Sequence, residues 1–185
     1  MPRRSCSFSS ASKSSSLRPE PVDGARAISR LGSTPSGWGS LTTLAGVLTI
    51  TREHLDAMIA HARADHPDEA CGVIVGPEGS DRPVRLVQMI NADRSPTFFR
   101  FDPAEQLRLY QAMDEAGEEI VVVYHSHTAT EAYPSRMDIS LAAEPQAHYV
   151  LVSTAESPDA DGPVSVRSYR ILEGTVTEED IEVTE

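Results

Sequence analysis

Only two cysteines occur in 185 residues, Cys6 and Cys71, so no disulfide framework holds this chain together. That scarcity suits a reducing, cytoplasmic setting. Lysine is absent after Lys13. Residues 1–46 carry six basic and two acidic residues; the rest carry ten and twenty-six, a net of −16 against −12 for the whole chain. Such an acidic body argues against a nucleic-acid surface, which needs clustered Lys or Arg, and is compatible with a basic protein partner. No apolar run approaches the ~20 residues needed to cross a membrane, so no membrane role is expected. The opening "MPRRSCSFSSASKSSSLRPEP" lacks the apolar core of a secretory signal. Internal repeats are missing as well.

Residues 1–46 include twelve serines, recurrent Pro and Gly, and no apolar periodicity. A segment of that composition buries too little surface to offset its ordering entropy, so it is expected to be a disordered extension outside the fold. A non-AUG start at Val47 would instead make it a mis-assigned extension. Either way, residues 47–185 form the expected domain.

From Val47 the chain alternates strand and helix signals. "VLTI" reads as a short strand, and Thr51 can cap a helix to about Ala64, with Leu55, Met58, Ile59 and Ala62 along one face until Pro67 stops it. "CGVIVG" (71–76) reads as a buried strand, followed by strands at 84–90 and, in "TFFRF", at 97–101. Asp102-Pro103 with Glu105 starts a second helix, whose inner face is expected at Leu107, Tyr110 and Met113 and which Gly117 ends. "IVVVY" (120–124) reads as a central strand, "HYVLVS" (148–153) as another and "VSVRSYRI" (164–171) as an outer one. The fold class is α/β: a mixed central sheet flanked by helices.

Against that frame "YHSHTATEAYPSRMD" (124–138) stands out. The histidines fall at or just past the end of a buried strand, where function concentrates in α/β sheets. Residues two apart on an extended segment point the same way, so His125 and His127 can aim at one point. Ser135 and Asp138 are three apart where a helix can begin after Pro134, which puts them on one helical face. Two imidazoles and a carboxylate suit a catalytic zinc with a fourth position left for water, although Fe²⁺ or Co²⁺ would also accept them. The same Ser-x-x-Asp spacing is an ordinary helix cap, and one serine can serve both ends. Glu69, just before the buried strand at 71–76, is the candidate general base.

Glu69 followed by His125-Ser126-His127, seven residues, Ser135, two residues and Asp138 resembles the signature of the JAMM (MPN+) metallopeptidase family. Many members carry Pro directly after the second histidine, where Thr128 stands here. The blocks "HARADHPDEACGV", "NADRSPTF" and "HYVLVST" resemble the Mec-type branch of that family. The resemblance implies a single MPN domain of cytidine-deaminase-like fold. It implies one Zn²⁺ held by His125, His127 and Asp138, with Glu69 as base and Ser135 as oxyanion donor. The implied reaction is hydrolysis of the Gly–Cys amide at the C-terminus of a ubiquitin-like sulfur-carrier protein ending in Gly-Gly, releasing L-cysteine in cysteine biosynthesis. The fold often pairs, so a homodimer belongs to the expectation. A sheet edge beside the metal is expected to hold the carrier's tail as an added strand. The alternatives are a general JAMM isopeptidase or deubiquitinase-like enzyme, and a metal-free MPN binding module. Such modules typically lose a ligand, and none is lost here.

Overall fold

The computed structural model of the chain describes residues 46–155 and 162–185; the expectation of a disordered tail falls on residues outside these. Among the described residues the elements run β1 (Val47–Thr51), α1 (Arg52–Asp65), β2 (Cys71–Pro77), β3 (Arg85–Met89), α2 (Pro103–Ala116), β4 (Glu118–His127), α3 (Arg136–Leu141), β5 (His148–Ser153), β6 (Ser165–Leu172) and β7 (Thr175–Thr184). The seven strands form one mixed sheet in the order β1-β7-β6-β5-β4-β2-β3. β4 lies inside it, antiparallel to β2 and parallel to β5, with Cys71 opposite His125 and Ser153 opposite His127.

Strand alternation sorts side chains into two cores. On one face Leu48, Ile50, Met58, Ala62, Val122 and Tyr124 pack with α1. On the other Val73, Leu109, Met113, Val123 and Leu151 pack with α2, and the alternation of β4 from Val123 onward brings His125 and His127 to this side. Tyr124 on the opposite side lies against Gly72: a Cβ there would come within 2.6 Å of its ring. The tyrosine hydroxyl in turn meets His61 Nδ1 at 2.9 Å. Helix starts follow local chemistry. Thr51 accepts the His54 N–H, and Asp102 accepts from Ala104 and Glu105 ahead of Pro103, each cap contributing about 1 kcal/mol. Gly117 ends α2 in the left-handed region (φ 63°).

Four expectations change. "TFFRF" forms no strand; beyond a single bridge between Phe101 and Asn91 it is a loop whose bonds go to the Asn91 side chain and to Ala92. β6 is not an outer strand, because the acidic β7 covers it and pairs onward with β1. The inner face of α2 is Leu109 with Met113, while Leu107 and Tyr110 are 59% and 41% exposed. Six residues of helix turn Leu107 about 120° away from Met113, so the two cannot share a face. The sheet's edges are β1 and β3, so no free edge adjoins His125; β3 is separated from β4 by β2. No described helix is long and apolar enough to cross a membrane.

Candidate metal centre

His125 and His127 lie among the last three residues of β4, so the strand itself sets their spacing and direction. Asp138 arrives from α3, whose start is fixed by a reciprocal cap. Ser135 Oγ accepts the Asp138 N–H at 3.2 Å, and the Asp138 carboxylate accepts the Ser135 N–H at 2.6 Å. The ladder and the cap bring the three residues together. His125 Nε2 and His127 Nε2 are 3.1 Å apart, and Asp138 Oδ2 lies 3.5 Å from each.

Those distances can be compared with what a metal demands. Four tetrahedral ligands about 2.05 Å from zinc lie about 3.3 Å from one another. The observed triangle matches one face of that tetrahedron. Its protonation pattern agrees. His127 Nδ1 lies 2.9 Å from the Glu131 carbonyl, which only a donor can satisfy, so Nε2 is left with a lone pair turned inward. Phe99 stacks on the His125 ring at 4.5 Å and 26°, holding its plane.

Electrostatics point the same way. Burial lowers the His125 pKa. For Asp138 burial would raise it, but the hydrogen bonds from His125 and His127 win and hold the carboxyl well below its usual range. His127 is raised despite burial, because Asp138, the Glu131 carbonyl and Glu69 surround it with negative charge. A cation fits this surrounding.

Glu69 is buried, and its carboxyl is pushed up to about 7, first by desolvation, with His127 opposing and Asp138 adding to the rise. All five residues singled out in the sequence thus fall in one region, with Ser135 on its exposed rim. Ser126, present in the motif but without a role read from it, lies between the two histidines and faces the other way. Its Oγ accepts the Ala70 N–H at 2.8 Å and its N–H donates to Ala70 O at 2.9 Å, joining the residue after Glu69 to the histidine strand. Beside the triad runs an apolar groove whose walls include Phe99, Phe101, Tyr110, Val123, Leu141 and Tyr149.

A sequence profile of the prokaryotic homologs of the JAB domain matches residues 51–171. The CysO-cysteine peptidase of Mycobacterium tuberculosis is 60% identical over 139 residues, covering 75% of this chain and 92% of that protein. A probable TtuB-protein conjugate cleaving protease of Thermus thermophilus is 30% identical over 144 residues, covering 77% of this chain and 85% of the relative. Among solved structures, protein DSY2949 from Desulfitobacterium hafniense superposes with a TM-score of 0.63 at 35% identity, covering 76% of this chain and 94% of that one.

Proposed function

The chain belongs to the prokaryotic JAB (JAMM) family, and on that premise we propose that it is a zinc peptidase that hydrolyses the Gly–Cys amide of a ubiquitin-like sulfur-carrier protein bearing a C-terminal cysteine. The products are the free carrier and L-cysteine. The observation that carries this reading is the inward-facing triangle of His125, His127 and Asp138 with the buried Glu69 beside it. The substrate follows from the similarity to a CysO-cysteine peptidase over nearly that protein's whole length. A thiol product and the free buried Cys71 suit a reducing cytoplasm.

His125, His127 and Asp138 would hold one Zn²⁺. When bound, zinc supplies a Lewis acid that polarises the scissile carbonyl and acidifies water enough for attack near neutral pH. Glu69 takes the proton of the attacking water and later delivers it to the departing amine of cysteine. A carboxyl poised near neutrality can do both. Ser135 Oγ accepts from Asp138 N–H, which leaves its own O–H to donate to the oxyanion, a contribution of about 3 kcal/mol at the transition state. His127 Nδ1–H stays on the Glu131 carbonyl throughout and keeps the ring's orientation. The apolar groove gives the carrier's extended tail a place to lie, and Gly-Gly lets its backbone come close to the triad.

The test is incubation with a carrier protein ending in Gly-Gly-Cys, followed by mass spectrometry for loss of one cysteine residue. Cleavage that stops on chelation is the expected result. Equal rates on lysine-linked ubiquitin-like conjugates would favour the general isopeptidase, and zinc-independent cleavage would end the metallopeptidase reading.

A further inference from the structure

Directly after β3, Asn91 is 5% exposed and uses every bond its amide can make. Nδ2 donates to the carbonyls of Glu69 and Phe98, both at 3.0 Å. Oδ1 accepts the N–H groups of Asp93 at 3.1 Å and Arg100 at 3.3 Å. With carbonyls at one end and N–H groups at the other, only this amide orientation satisfies all four.

Three of those bonds shape the 91–101 loop, and the fourth leaves it for residue 69. The loop also takes the other backbone group of that residue, since Glu69 N–H donates to Ser95 O at 2.9 Å. Glu69 precedes β2, so no sheet bond holds it; both of its backbone groups end on this loop. From its other side the loop reaches the histidine strand. Phe99 stacks on His125, and Thr128 Oγ1 donates to Pro96 O at 3.0 Å, a bond that proline at position 128 could not make.

We propose that Asn91 is a positioning residue: its bond to the Glu69 carbonyl fixes the base relative to the metal-binding strand. This rests on the proposed role of Glu69. All four bonds of the Asn91 amide go to backbone groups and none to the triad, so its removal should displace the base while leaving the triad, which stands on β4 and α3, in place.

The experiment compares full-length parent, Asn91→Asp and Asn91→Ser. Aspartate keeps the shape but turns a carboxylate oxygen toward two carbonyls; serine keeps a small polar group, forms fewer bonds and remains available should the aspartate variant not fold. Zinc content and the visible spectrum of the cobalt-substituted protein should match the parent. Turnover should fall about 10- to 100-fold, mainly in kcat, the range for losing a supporting hydrogen bond at such a site. Hydrogen exchange at the Glu69 amide should quicken about tenfold or more. The proposal is overturned by kcat within twofold of the parent, by activity falling only in step with zinc loss, or by unchanged exchange at Glu69. A parent that leaves the cysteine adduct uncut would overturn the peptidase function instead, and the Glu69 exchange would still decide the clamp.

Discussion

Two clusters of histidine and carboxylate, each around buried histidines, occupy different ends of this sheet, and they are built to opposite ends. At the start of β5, His148 Nδ1 meets Glu179 Oε1 at 2.5 Å and Nε2 meets Asp81 Oδ1 at 2.9 Å, while Ser168 Oγ donates to Glu179 at 2.7 Å. Each ring nitrogen of His148 faces its own carboxylate. At the end of β4 two ring nitrogens face each other at 3.1 Å and converge on a single carboxylate oxygen. In the first cluster both nitrogens of the histidine are partnered by its own members, and only Glu179 Oε2 is left buried without a hydrogen bond among the described residues. The second turns its electron-pair donors toward one point, and that is the arrangement a metal requires. Residue type does not separate a structural ion pair from a metal centre; the direction of the nitrogens does.

Replacing a triad member should break the comparison most completely. His127→Ala is expected to lose zinc and with it at least about 10³-fold in activity, as should chelation of the parent, read by metal analysis and turnover. Activity that survives both would remove the distinction between the clusters.

Glu69→Gln sharpens it. The amide keeps size and hydrogen bonding but accepts no proton, so turnover should drop about 10²- to 10⁴-fold with zinc retained. Near-parental rates in a zinc-loaded variant would move the base elsewhere.

The other cluster should respond in stability alone. Glu179→Ala leaves His148 buried without its inner partner, at a cost of about 3 kcal/mol in denaturant unfolding, while zinc content and kcat of the folded fraction stay as in the parent. A loss of zinc at mild temperature would mean that the two ends are coupled.

Cys71 should give the smallest effect. It lies opposite His125 in the ladder, its thiol is pushed up to about 12, first by burial and then by nearby acids, and it donates toward Met89 O. It should resist alkylation in the folded chain and react once unfolded, with Cys71→Ala changing turnover by less than about twofold. Rapid labelling of the native protein at this position would contradict its burial.

The sequence by itself determined the parts whose geometry is local. His-x-His on a strand points two rings one way, Ser-x-x-Asp opens a helix with a reciprocal cap, and Asp102-Pro103 and Gly117 bound α2; each depends on neighbours within a few residues. Only the tertiary structure decided the rest. β7, with Glu178, Glu179, Asp180 and Glu182, carries no apolar strand signal, yet it joins the sheet because β1 and β6 flank it. "TFFRF" has the composition of a strand but became the loop over His125, because Asn91 and Ala92 take its hydrogen bonds. The Ser126 bond to Ala70 spans 56 residues, and that of His148 to Asp81 spans 67. Such partners are chosen by which strands lie side by side. A periodicity read within a dozen residues registers only the face a side chain occupies, never the atom that meets it there.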